Sequence, residues 1–291
     1  MKFGTDGVRG KAGQPPLDSV TITRLGAALV RSFLTAHERA HQDAHPISVV
    51  CGRDTRESGV WMEEALARGV AAAGGRFTSL GIMPTPGVAY VTKHGPFDLG
   101  VVISASHNPF EDNGIKVFSG KGEKFGDAEE RDVEDIVNDA SWQVAAVEPA
   151  VELSHLIDDY LAHTRRLLPD AGPLRGSRVA IDMGHGATTA TAPQLFRALG
   201  FDVIELGNAP DGRNINLGCG STHPEPGSCE GRSKSVPLKR PHSEAAAVQK
   251  CTAGKPFGQV VPGMGEKPDR RRVQGDVQRG LVCEDQTGVS G

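Results

Sequence analysis

Three short segments that read as strands, Ile47 to Cys51, Phe77 to Leu80 and the apolar run Leu99 to Ile103, alternate with segments of helical period, and that alternation restricts the fold most. Segments of four or five residues are strand-length, and those between them can carry a helix across a sheet and back. In the first such segment Ser58 is the expected cap, Met62, Leu66 and Val70 share one face, and Gly74-Gly75 ends the helix. In the second, a helix over Val88 to Lys93 follows Gly81-Ile82-Met83-Pro84-Thr85-Pro86. Two more helices are expected: Asp18 to about His41, carrying Ile22, Leu25, Leu29 and Phe33, and Asp127 to Asn138, with Val133, Ile136 and Val137 inward. Strands alternating with helices indicate an α/β layer domain. An apolar content of 38% with only 5% aromatic residues fits such an Ala/Val/Leu-rich core better than a β-sandwich.

A domain boundary is expected in Val144 to Val151, where Glu148-Pro149 interrupts an Ala/Val stretch, so residues 1–150 form one domain. A helix from about Leu153 to Leu168 then leads into a second unit, 151–225. Its Arg178 to Asp182 strand, Gly turn, helix to Leu199-Gly200 and Phe201 to Leu206 strand repeat the order of residues 48–80. Residues 226–291 hold 10 Gly and 6 Pro without sustained periodicity, a composition expected to stay largely disordered.

The 291 residues carry a net charge of −4, divided into −8 over residues 1–225 and +4 over the tail. An acidic body argues against general nucleic-acid binding, and the tail's Lys239-Arg240 and Arg270-Arg271-Arg272 read as a solvated, acid-interrupted segment. No run approaches the ~20 apolar residues of a membrane span. The first residues lack the charge and apolar pattern of a signal peptide, so a cytoplasmic protein is expected. The five cysteines form no CxxC pair, which gives no sign of a zinc site or disulfide framework.

Chemistry concentrates after the third strand, in Ser104-Ala105-Ser106-His107-Asn108-Pro109. A buried strand running into a polar turn lifts Ser106 to a sheet end, where loops of α/β folds carry function. Taken singly, Ser106 reads as a turn or cap serine and His107 as a packed histidine. Lys116 reads as a surface lysine after an Asn113-Gly114 tight turn, and Arg9 as part of a flexible, Gly-rich N-terminus.

Together, Phe3 to Gly10, Gly52-Arg53-Asp54-Thr55-Arg56, Pro84-Thr85-Pro86, Ser104 to Pro109 and Asn113 to Lys116 resemble, in order and spacing, the N-terminal domain of the α-D-phosphohexomutases. Gly4-Thr5-Asp6-Gly7-Val8-Arg9-Gly10 and Cys219-Gly220-Ser221-Thr222-His223-Pro224 are similar to the glucosamine-phosphate branch of that superfamily rather than to its glucose- and mannose-phosphate branches. The resemblance covers residues 1 to about 225. It implies a three-layer phosphohexomutase-type α/β domain with a mixed sheet, followed by a truncated second α/β domain.

The resemblance further implies that Ser106 is carried as a phosphoserine. It would interconvert glucosamine 6-phosphate and glucosamine 1-phosphate through a sugar bisphosphate, on the route to cell-wall precursors. Arg9 and Lys116 would flank the phosphoserine, with Lys116 as acid/base, His107 orienting the phosphate or sugar hydroxyl, and Thr5, Asn108 and Arg53 binding substrate. A phosphoserine carries about −1.5 to −2 charge, so phosphoryl transfer there needs positioned positive charge. The family's Mg2+ is held by the phosphate on Ser106 and an Asp-rich loop. No Asp-Gly-Asp-Gly-Asp-Arg-like loop occurs in the sequence, so Mg2+ binding is expected to be weak or absent. Asp54, Asp112 and Asp182 are the remaining oxygen donors considered. His185 stands where many relatives have Asn, read as drift in a structural turn or as a changed interdomain contact. The family's third and fourth domains are missing, and the tail reads as a frameshifted or alternatively terminated end. One alternative is a fragment without activity that acts as a binding module; a second is a phosphoglucomutase or phosphomannomutase.

Overall fold

The computed structural model describes residues 1–38, 45–149, 151–167 and 172–223. The expectations for residues 226–291, and for the last residues of the first helix, lie outside the described residues.

Eight strands and six α-helices are described: β1 (Val8–Lys11), α1 (Ser19–Glu38), β2 (Ser48–Arg53), α2 (Ser58–Ala72), β3 (Arg76–Ile82), α3 (Thr85–His94), β4 (Leu99–Ile103), β5 (Asp112–Ser119), α4 (Asp127–Asn138), β6 (Glu152–Leu153), α5 (Ile157–Leu167), β7 (Arg178–Asp182), α6 (Ala192–Ala198) and β8 (Asp202–Leu206). The first six strands form one sheet in the order β1-β5-β4-β2-β3-β6. Its β4-β2-β3-β6 part is parallel and its β1-β5-β4 part antiparallel, so the sheet is mixed.

Helices cover both faces. On one, Ile22, Leu25 and Leu29 of α1, Met62, Leu66 and Val70 of α2, and Val133 and Val137 of α4 pack on Val49, Cys51, Val101 and Ile103. On the other, Val88 and Val91 of α3 and Tyr160 of α5 pack on Val50, Val102 and Phe118. Strands with both faces buried read as continuous apolar runs, as β2 and β4 do. Where α1 crosses α2 the backbones touch: a Cβ on Gly69 would sit 1.9 Å from the Thr23 carbonyl oxygen, and one on Gly26 2.3 Å from that of Leu66.

Four expectations are corrected. Ser58 does not cap α2: Glu57 holds the cap position without a side-chain bond, and Ser58 Oγ accepts a hydrogen bond from Asn113 Nδ2 (2.9 Å). Asn113-Gly114 is not a turn but lies inside β5, because a Cβ at Gly114 would meet the Ser104 and Val8 carbonyl oxygens at 2.9 and 3.0 Å. The N-terminal segment is ordered by antiparallel pairing of β1 with β5. Residues 152–153 pair with β3, so the helix expected from about Leu153 begins at Ile157. Near the boundary expected at 150 the chain thus still extends the first sheet. The repeat is present in outline, since β7 and β8 pair in parallel across α6 as β2 and β3 do across α2.

Candidate functional site

The site begins with the hairpin-like passage from β4 to β5. Ser104 N–H donates to the Gly114 carbonyl (2.9 Å) and Asn108 N–H to that of Ala105 (3.2 Å), folding residues 104–108 into a compact turn. Ser106 lies at its apex with φ 58°, a left-handed conformation that costs a non-glycine residue about 1–2 kcal/mol. The neighbouring Ser104 hydroxyl accepts the Ser106 N–H (3.0 Å), and Ser106 is exposed with its own hydroxyl in no hydrogen bond among the described residues. Strained, exposed residues of this kind collect at functional sites.

Cations gather under and beside the turn. Arg56 is wholly buried; it pairs with Asp54 and donates through Nη2 to the carbonyl oxygens of Asn108 (2.7 Å) and Ser106 (3.3 Å). Burial pulls the Arg56 guanidinium below its usual range, Asp54 pushes it back up, and the charge of nearby Arg9 adds to the lowering. Arg9 lies opposite Gly114 in the β1–β5 register, and the side chains of Arg9 and Lys116 both reach Asp6, at 3.0 and 3.8 Å. Gly7, at φ 88°, lets the loop before β1 lie on β5; a Cβ there would fall 2.3 Å from the Ile115 carbonyl oxygen. Among the described residues, the two buried side-chain nitrogen or oxygen atoms without a partner are Arg9 Nε and Arg56 Nε.

The other expected residues divide. Asn108 stands in the turn, its amide donating to Asp112 (3.0 Å), and His107 is exposed beside Ser106. Thr5 is exposed in the loop before β1. Arg53, at the end of β2, is turned to Glu63 on α2 (3.1 Å), whose other oxygen accepts from Ser79 (2.6 Å). Burial pushes the Glu63 carboxyl up against those two bonds.

The second unit reaches the turn from the other side. Asn216 Nδ2 donates to the carbonyls of Ser106 (3.0 Å) and Asn108 (3.2 Å), and Thr55 Oγ1 donates to the His185 carbonyl. Glu57 N–H donates to the Gly212 carbonyl (2.9 Å), and Glu57 pairs with Arg213 (2.7 Å). His185 sits at φ 52° with Nδ1 accepting from Ala209 N–H (3.2 Å). Left-handed positions favour Asn, Asp and His, which supports a structural turn at this place. Arg56 and Asn216 are the residues that sequence reasoning passed over. In the sequence Arg56 is one residue of the Gly52 to Arg56 motif, and nothing local to Asn216 signals a contact 110 residues away.

The described residues do not by themselves make a site that fits a Mg2+ ion. Among the described residues no three His, Cys, Asp or Glu side chains are grouped to hold a metal. Asp54 is taken by Arg56, Asp112 by Asn108, and Asp182 by the N–H groups of Gly184 (2.9 Å) and Gly220 (2.8 Å).

A three-layer α/β domain with an exposed, left-handed serine at a cation-lined sheet end is the frame of a phosphohexomutase first domain. Residues 1–144 match the family phosphoglucomutase/phosphomannomutase, alpha/beta/alpha domain I, so the chain contains that domain. It is 44% identical over 225 residues to a phosphoglucosamine mutase of Thermus thermophilus, covering 77% of this chain and 48% of that protein. A phosphoglucosamine mutase of Deinococcus radiodurans is 45% identical over 224 residues, 76% of this chain and 48% of its own. The chain thus spans about half the length of the curated relatives it matches. Among solved structures, a phosphoglucomutase/phosphomannomutase family protein from Burkholderia thailandensis superposes with a TM-score of 0.60 at 27% identity, over 72% of this chain and 44% of that one. Parafusin, a phosphoglucomutase from Paramecium in its open form, gives 0.57 at 17% identity over 75% and 45%, a likeness of fold alone. No helix among the described residues is long and apolar enough to cross a membrane.

Proposed function

We propose that Ser106 is a phosphoryl carrier and that the chain acts on hexose phosphates, interconverting glucosamine 6-phosphate and glucosamine 1-phosphate through a sugar bisphosphate. The observation that carries this reading is the Ser106 hydroxyl, exposed and free of hydrogen bonds among the described residues, on a turn underlain by Arg56. Phosphoryl transfer depends chiefly on positioning and charge neutralisation, and Arg9, Arg56 and Lys116 supply fixed positive charge at this end of the sheet.

In one direction the bond between phosphorus and Ser106 Oγ breaks as the free sugar hydroxyl bonds to phosphorus. Lys116 relays the hydroxyl proton to Oγ. The bisphosphate reorients, and its other phosphate returns to Ser106 by the reverse step. Arg9 holds phosphate oxygens, and His107, Thr5 and Asn108 are assigned to orienting the sugar phosphate. Arg53, whose Nε is held by Glu63, is assigned with them to binding substrate. Residues 1–150 are assigned as the carrier domain and 151–225 as part of a second domain that closes on it. The amino-sugar preference follows the named activity of the relatives. No step is routed through Mg2+.

Intact-mass spectrometry of the full chain with glucose 1,6-bisphosphate tests the reading. A phosphate adduct on the wild type that is absent from Ser106→Ala supports it. A wild-type chain with a native circular dichroism spectrum and no adduct overturns it and favours a binding module.

A further inference from the structure

The Ser106 turn is held from two sides by donors that share the same two acceptors. Arg56 Nη2, from the end of β2, and Asn216 Nδ2, from the second unit, each donate to the carbonyl oxygens of Ser106 and Asn108. Arg56 cannot adjust, because it is wholly buried and committed to Asp54. Asn216 is fixed as well: its own φ is 60°, and its N–H donates to the Gly184 carbonyl (2.8 Å). Gly184 is in turn tied to Asp182 at the end of β7 (2.9 Å).

Resting on the carrier reading of Ser106, we infer that Asn216 is a positioning residue. It locks the carrier serine in its left-handed conformation, and so couples phosphoryl transfer at Ser106 to docking of the second unit. A left-handed serine relaxes toward ordinary backbone geometry unless its surroundings over-determine it. Arg56 alone leaves each carbonyl with one donor. Asn216 adds the second, and it does so only when the loop of residues 208–220 is seated against residues 54–57. The hydroxyl is then presented to a sugar phosphate only by the docked form.

The test uses the full chain, with Asn216→Ala and the isosteric Asn216→Asp, which sets an acceptor against the two carbonyls. The sequence holds two Ser-His pairs, Ser106-His107 and Ser154-His155, so labelling serine carbonyl carbon and histidine nitrogen gives two cross-peaks. The Ser154-His155 peak, lying away from the turn, reports that the chain is folded. In both variants the Ser106-His107 peak is expected to move while the Ser154-His155 peak stays. The rate of Ser106 phosphorylation by glucose 1,6-bisphosphate is expected to fall about tenfold, the effect of roughly one net hydrogen bond. An unmoved Ser106-His107 peak, or a rate within about twofold of wild type in both variants, overturns the inference. If the wild type takes up no phosphate, the carrier reading fails separately, and the lock on Ser106 stands or falls on the peak alone.

Discussion

Arg56 has no water to fall back on, so its charge is balanced by Asp54 and by the carbonyls of the Ser106 turn. Replacing one partner of such a pair leaves the other charge buried and uncompensated. Arg56→Leu is therefore expected to lower unfolding stability by about 3–5 kcal/mol, read from the urea midpoint. Adding Asp54→Asn should restore part of the loss, because the orphaned carboxylate is then gone. A double variant no more stable than the single one would place the cost in the lost carbonyl bonds instead. The sequence shows an arginine two residues after an aspartate, which is also what a solvated loop looks like. Burial of that arginine depends on the Ser106 turn folding back over it, and no local pattern encodes that.

At the scale of elements, helix period and strand-length apolar runs were legible because both arise from neighbouring residues. The cap of α1 belongs to this class: Asp18 accepts the Thr21 N–H (3.0 Å) and hydroxyl (2.6 Å). Burial works to raise the Asp18 carboxyl, but the bonds from Thr21 outweigh it and hold it below the usual range. A depressed carboxyl contributes stability above its unfolded pKa of about 3.9, lost as the pH falls through the lower folded value. Asp18→Ala should thus cost about 1 kcal/mol at neutral pH. The gap between the thermal midpoints of variant and wild type should close on acidification below about pH 4. Elements set by distant residues were not legible. Asn113-Gly114 has the composition of a turn, yet it is held extended between β4 and β1, where only glycine tolerates the carbonyls on either side. Leu153 sits in a helical pattern but pairs with Ser79 as an edge strand.

Across the whole molecule, residues 172–223 offer a two-stranded sheet and one short helix, too little to be stable alone. Their contacts with residues 54–57 and the Ser106 turn supply the rest. Thr55→Val removes the hydroxyl bond to His185 at nearly constant volume and should cost about 1 kcal/mol. Trypsin should then cut faster at Arg178, Arg197 or Arg213 with unchanged rates at Arg68 and Arg76; equal acceleration at all five would mean global loosening. The pairing of β1 with β5 has its own consequence, in time rather than space. Arg9 precedes its partner in the sheet, Gly114, by 105 residues, so as the chain is made β1 waits for that whole stretch. Contacts of such separation form slowly, so β1 is placed only after β5. The positive charge of Arg9 therefore reaches the neighbourhood of Ser106 only once β5 is in place to receive β1.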